Sequence, residues 1–334
     1  MRTTLKTIAD HVGLSVASVS LVLNNKPNKL SPESRQKILA AAEELHYVPQ
    51  LVSPAMAKKY SKTLGLIIPE VSNTFFADLA QGVGHCAQEN GCQLLLSTTD
   101  GIAENDKDIL KMFASRNIAA MLFVASSDCN ASLLQSLPFP IIQVDRSNPA
   151  LNFSAVVFNQ KKGGYLATKH LLELGHRRIA CLTGPNNLTN TILRLKGYYQ
   201  AYENMGLTPP SDGVFEGDYM SDSGFDTTDA ILAKGFTAIF STNDMMAYGI
   251  LKRLRQLKIK VPQDISIVGF DDVVYSDLLD VPLTTIRQSG YIMGYEACSR
   301  AFQEIENPQI MKQTIQFEPE LIIRESTSEP SCIH

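Results

Sequence analysis

Apolar side chains at Leu5, Ile8, Ala9 and Val12 fall at i, i+3, i+4 and i+7, the spacing of one face of an α-helix. Gly13 follows, a residue able to take φ > 0 at a tight turn. Ser15 then predicts the N-cap of a second helix whose buried stripe is Val19, Val22 and Leu23. Ser31 as N-cap and Pro32 as first helical residue predict a third helix, burying Ile38, Leu39, Ala42 and Leu45. Three short helices with a tight turn between the first two make a small all-α helix-turn-helix bundle. Pro49 and Pro54 bracket a polar stretch ending in Lys58, Lys59 and Lys62, which reads as a linker.

From residue 64 the pattern changes to short β-branched or leucine-rich runs. These are LGLII (64–68), QLLL (93–96), AAMLFV (119–124), PIIQV (140–144), AVVF (155–158), RIACL (178–182), TAIFS (237–241) and ISIVGF (265–270). Amphipathic helical stretches stand between them, among others 75–89, 162–174, 191–205 and 245–257. Such alternation predicts α/β architecture with doubly wound parallel sheets covered by helices, and the length of the region calls for two lobes. In open α/β sheets ligands bind beyond the carboxyl ends of the strands, so function is to be sought in the residues that follow each run.

Composition narrows the class. The chain has 334 residues, 44% hydrophobic and 19% charged, as in a soluble globular protein, and no stretch approaches the ~18 apolar residues of a membrane span. Polar residues interrupt MRTTLKTIADHVGLSV every two or three positions, so no secretion signal is expected there and the protein is expected in the cytoplasm. Cys86, Cys92, Cys129, Cys181, Cys298 and Cys332 form no C-x-x-C pair and suggest reduced core thiols, with neither a zinc site nor a disulfide framework. Nine basic and four acidic residues within 1–62 give that segment +5, which leaves −9 for the remainder against the total of −4. A basic head on an acidic body suits a module that neutralises phosphates while the body is held off DNA.

No G-x-S-x-G, H-E-x-x-H or G-x-x-x-x-G-K-[ST] string occurs, and no nucleophile or general base stands out, so an enzyme is not the expectation. Gly82 to Ala87, GVGHCA, matches a loose dinucleotide fingerprint but falls inside a helical stretch, and no cofactor is expected. The residues after the strands are more informative: Asn73, Phe75 and Phe76 after the first, Asp145 and Arg146 after the fourth, Arg194 after the sixth, then Tyr219, Asn243, Asp271 and Gln288. A sugar ring has two apolar C–H faces and an equator of hydroxyls. Phe75, Phe76 and Tyr219 could serve as plates, and Asp145, Arg194, Asn243, Asp271 and Gln288 as the polar edge. The bland alternative is that the polar residues are helix caps and the aromatics core.

The string TLKTIADHVGLSVASVSLVLNN followed by LSPESRQKILAAAEELHYVP resembles the headpiece of the lactose-repressor (LacI) family. NTFFADLAQGV, VDRSNPA, KHLLELGHRRIACLTGP, STNDMMAYGILKRL, VPQDISIVGFDD and PLTTIRQ are similar to that family's effector domain, itself akin to periplasmic sugar-binding proteins. The likeness runs from about Thr4 to Arg324. It implies a helix-turn-helix domain over 1–49, a hinge over 50–62 and a two-lobed effector and dimerisation core over 63–330. The first lobe would take about 63–160 plus 290–319, and the second about 161–289 plus 320–330. It further implies operator DNA as partner, contacted by Thr4, Ser15, Val16, Ala17, Ser18, Ser20, Leu21, Asn24, Ser31 and Ser34, with Met56 of a hinge helix wedging the minor groove. A sugar or sugar-phosphate effector would meet Asn73, Phe75, Phe76, Asp145, Arg146, Arg194, Tyr219, Asn243, Asp271 and Gln288.

Departures from the family pattern matter. Leu21 stands where most members have Arg, which removes a guanine-reading contact. The hinge reads Gln50, Ser53, Pro54 and Met56 in place of N-x-x-A-R-x-L. Ser289 and Gly290 offer no aromatic wall beyond Gln288, and the tail ESTSEPSCIH has no leucine heptad, so a homodimer is expected. A global regulator answering to a phosphorylated protein partner remains open, as does, with less support, a sugar receptor without DNA function.

Overall fold

A computed structural model describes residues 5–23, 27, 30–45, 61–116, 118–125 and 131–331. The chain falls into two compact units, 1–60 and 61–334. In the first, α1 (Leu5–Val12), α2 (Val16–Leu23) and α3 (Pro32–Glu44) form the three-helix bundle. Gly13 takes φ of 71° at the turn after α1, where most side chains would be strained. The Ser15 and Ser31 hydroxyls accept the N–H groups of Ser18 (3.1 Å) and Ser34 (3.2 Å), the N-cap geometry expected of them. Ile8, Ala9, Val19, Val22, Ile38, Ala41 and Ala42 make the core. Leu39 departs from expectation: it is 47% exposed, and Ala41 is buried in its stead. The register explains this, because 38, 41, 42 and 45 share one helical stripe and position 39 turns about 100° away from Ile38.

The second unit contains two six-stranded sheets. In order, β1 (Thr63–Ile68), α4 (Thr74–Glu89), β2 (Gln93–Thr98), α5 (Ala103–Ser115), β3 (Ala120–Phe123), α6 (Ala131–Ser136), β4 (Ile141–Val144) and β5 (Ser154–Phe158) build the first. Next come α7 (Gln160–Glu173), β6 (Ile179–Thr183), α8 (Thr189–Asn204), β7 (Val214–Glu216), α9 (Ser221–Ala233), β8 (Ala238–Ser241), α10 (Asp244–Leu257), β9 (Ser266–Asp271), a 3₁₀ turn (Val274–Asp277) and β10 (Thr284–Arg287). Then α11 (Gly290–Glu306) returns to pack on α4, β11 (Thr314–Phe317) joins the first sheet beside β5, and β12 (Glu320–Ile322) joins the second beside β10. The orders are β11-β5-β4-β3-β1-β2 and β12-β10-β9-β8-β6-β7, parallel throughout except β12. The chain therefore crosses between lobes three times, after β5, after β10 and after β11.

Strands β3, β4, β5, β6, β8 and β9 are buried on both faces, which is why their sequences are nearly continuous apolar runs. The α4–α11 contact is close, as are those of α7 with α8 and of α9 with α10. A Cβ on Gly82 would lie 2.1 Å from the Tyr291 carbonyl oxygen, and one on Gly294 equally near that of Leu79. The GVGHCA string is thus a helix-packing surface inside α4. Cys86, Cys92, Cys181 and Cys298 are free thiols, while Cys129 and Cys332 lie outside the described residues. Among the described residues, no helix is long and apolar enough to cross a membrane.

Candidate functional site

On the helical unit, burial of Val19 and Val22 turns Val16, Ala17 and Leu21 to solvent, with Ser18 and Ser20 half-buried beside them. Ser15 and Ser31 spend their hydroxyls on Ser18 and Ser34 as caps. What α2 presents outward is mainly methyl and methylene groups. Thr4, Asn24 and Met56, like Gln50, Ser53 and Pro54, lie outside the described residues.

In the larger unit, all ten side chains singled out at strand ends line one cavity of about 370 Å³. Asn73 caps α4, accepting the Phe75 N–H at 3.0 Å, and so places Phe75 and Phe76 in the first turn, where their rings meet edge to face. Asp145 and Arg146 follow β4, Arg194 projects from the second turn of α8, and Tyr219 precedes α9. Asn243 caps α10, Asp271 ends β9 and Gln288 follows β10. The capping alternative holds in part. Asn243 accepts from Met246 N–H (3.0 Å) and donates to the Tyr219 carbonyl (2.8 Å), so it fixes two loops at the cavity.

The floor is a closed ring of polar side chains. Arg194 Nε donates to Gln160 Oε1 (2.8 Å), Gln160 Nε2 to Gln288 Oε1 (3.1 Å) and Gln288 Nε2 to Asp271 Oδ1 (2.7 Å), while Arg194 Nη2 lies 3.8 Å from Asp271. Gln160 also donates to Asp145 (3.3 Å), as does Asn190 (3.5 Å). Arg194 further donates to the Thr242 carbonyl and lies with its guanidinium carbon 3.7 Å from the Phe270 ring centroid. Arg146 lies 3.8 Å from Asp145 and donates to the Ala125 carbonyl, but its Nε has no acceptor. Burial raises the Asp145 carboxyl above its ordinary range against the opposing Arg146 and Arg194, and raises Asp271 further still. At 3.8 Å these ion pairs are too long to be hydrogen bonds, so desolvation prevails.

Backbone strain gathers here. Of the six non-glycine residues with positive φ among those described, Asp100 (53°), Asp145 (61°), Tyr219 (71°) and Asp271 (118°) line the cavity. Each such conformation costs on the order of 1–3 kcal/mol and persists where surrounding packing enforces it, a pattern typical of binding sites. Sequence reasoning missed Gln160, the hub of the polar floor, and Asn190. It also missed Glu70, Asp100, Asn187, Asp218 and Met220 at the mouth. Asp100 and Gln160 stand just past β2 and β5, so the strand-end rule that found the others reaches them too.

Comparison with known proteins matches this arrangement. The profile described as bacterial regulatory proteins, lacI family, matches residues 4–50, and that of the periplasmic binding protein-like domain matches residues 168–327. The HTH-type transcriptional regulator DegA of Bacillus subtilis (strain 168) is 32% identical over 98% of this chain and 99% of its own. A lac repressor dimer bound to operator and the anti-inducer ONPF superposes with a TM-score of 0.83 at 26% identity, covering 98% of this chain and 100% of that one. A complex of the transcriptional regulator CelR with cellobiose gives 0.73 at 28% identity over 97% and 100%. The helix-turn-helix unit, the two parallel-sheet lobes and relatives that are regulators rather than enzymes lead to one conclusion: the chain belongs to the LacI family of DNA-binding transcriptional regulators.

Proposed function

We propose that the protein is a repressor that acts as a homodimer and whose operator affinity is switched by a small sugar held in the cavity. The observation that carries this reading is the convergence of ten strand-end side chains, aromatic and hydrogen-bonding, on one strained, largely buried cavity. CelR in its solved complex holds cellobiose, and the lac repressor is seen as a dimer on its operator, which supports the same assignment here. Val274, Tyr275 and Leu278 are 61%, 52% and 73% exposed, an apolar patch that supports association of two copies. Residues 1–49 would read the DNA, with Val16, Ala17 and Leu21 against thymine methyls in the major groove, 50–62 would be the hinge with Met56 as wedge, and 63–330 the effector core.

The test is a sugar titration of the full chain with and without operator DNA. Linkage requires that whatever factor the sugar imposes on operator affinity, operator imposes on sugar affinity. Identical sugar affinities in the two titrations would sink the proposal and favour control by a protein partner on the outer surface.

A further inference from the structure

The charge and depth of the cavity select among sugars, an inference that rests on the sugar reading above. Glu70, Asp100, Asp145, Asp218 and Asp271 line it against two cations, Arg146 and Arg194, and among the described lining residues there is no lysine or histidine. With all five carboxyls ionised the lining carries three net negative charges, and with any two of them neutralised it still carries one. Neither guanidinium is open for a bidentate grip on an anion, since Arg194 is spent on Gln160, Thr242 and Asp271, and Arg146 on Ala125 and Asp145. Helix N-termini could attract an anion, but those of α4 and α10 are closed by Asn73 and Asn243, that of α9 meets the Asp218 carboxylate, which accepts the Met220 N–H (2.8 Å), and at that of α8 Asn190 accepts the Thr191 N–H (3.0 Å).

The cavity has two zones. The floor is made of side chains at least nine-tenths buried, with Arg146 Nε enclosed beside Asp145 at 3.8 Å. The mouth is different: Asp100, Asn187 and Asp218 are exposed, Glu70 is half-buried, and Met220 exposes its apolar side chain beside them. Carboxylates accept hydrogen bonds only, so they suit the hydroxyl donors of a neutral polyol and repel a phosphate. At about 30 Å³ per water, 370 Å³ corresponds to roughly a dozen waters, and a ring seated on the floor leaves the mouth still to be filled.

We infer that the effector is an uncharged saccharide of two joined rings, the first on the buried floor, the second in the acidic mouth, and that sugar phosphates are refused. The full-length chain is titrated calorimetrically with hexoses, with the neutral disaccharides cellobiose, maltose, lactose and sucrose, and with glucose 6-phosphate. The expected result is at least one disaccharide binding about tenfold or more tighter than its component hexoses, with no measurable binding of the phosphate. The Glu70→Gln/Asp100→Asn double variant should reduce that disaccharide preference, and Glu70→Lys/Asp100→Lys should begin to admit glucose 6-phosphate. Glucose 6-phosphate binding the unaltered chain as tightly as any neutral sugar overturns the inference, and so does a hexose matching every disaccharide that contains it. Both of these leave the sugar reading intact; failure of every saccharide to bind overturns that reading itself.

Discussion

Arg194 offers the sharpest test of the polar floor because its guanidinium is 2% exposed and serves four partners at once. Arg194→Ala would orphan Gln160 Oε1 and the Thr242 carbonyl, strip Asp271 of its one close cation and empty the space over the Phe270 ring. Breaking a buried charge pair by removing one partner costs about 3–5 kcal/mol, a large share of a domain stability of roughly 5–15 kcal/mol. Arg194→Lys restores the charge, but a compact ammonium cannot span Gln160 and Thr242 as the planar fork does. One buried acceptor is then left unpaired, at about 1–3 kcal/mol. Urea unfolding of the full chain, followed by circular dichroism for the core transition, should therefore rank wild type above Lys above Ala, by midpoint shifts at unchanged slope. Both variants should lose the sugar response, while operator binding without sugar persists in the lysine variant, since Arg194 lies outside the helix-turn-helix unit. A loss below about 1 kcal/mol for Arg194→Ala, or equal losses for Lys and Ala, would refute the closed ring as an energetic unit.

Asp244, fully buried behind the cavity, accepts from Thr285 Oγ1 (2.6 Å), Ser276 Oγ (2.7 Å) and Val273 N–H (3.1 Å), yet burial outweighs these bonds and raises its carboxyl to about 6 from the usual 3.8. Because the folded value lies above the unfolded one, the native state binds the extra proton, and stability falls as pH rises from about 4 to about 6. At about 1.4 kcal/mol per pH unit, wild type should lose about 3 kcal/mol relative to Asp244→Asn across that window in pH-dependent urea melts, and the reverse sign would mean the hydrogen bonds dominate. Gly82→Ala should destabilise by at least about 1–3 kcal/mol, since its Cβ would overlap the Tyr291 carbonyl, and should weaken sugar binding through the displaced N-terminal turn of α4. Gly84→Ala, two residues along and facing open space, should instead stabilise by about 0.5–1 kcal/mol, so equal thermal shifts for the two would contradict the close α4–α11 contact.

What could be read in the sequence follows from what each element buries. Strands covered on both faces announce themselves as apolar runs, and so do the helices packed on them with one apolar stripe. The edge strands Val214–Glu216, Thr314–Phe317 and Glu320–Ile322 are three or four residues long, too short to show a period. The inner strand Thr284–Arg287 escapes for another reason: Thr284 and Thr285 are fully buried but polar, their hydroxyls held by Thr327 and Asp244, partners about 40 residues distant. The site divides along the same line. A rule about strand ends located ten lining residues, because at those ends the backbone must turn out of the sheet and aim its next side chain into the crevice, even at the cost of the positive φ seen at Asp145, Tyr219 and Asp271. Gln160 also stands just past a strand, β5, but that position does not announce its role. Its amide joins Asp145, 15 residues away, to Gln288, 128 residues away, and accepts from Arg194 on a different helix. A side chain whose meaning lies wholly in its long-range partners is silent until the fold assembles them, and it stands where the chain first crosses between the lobes, well placed to sense both at once.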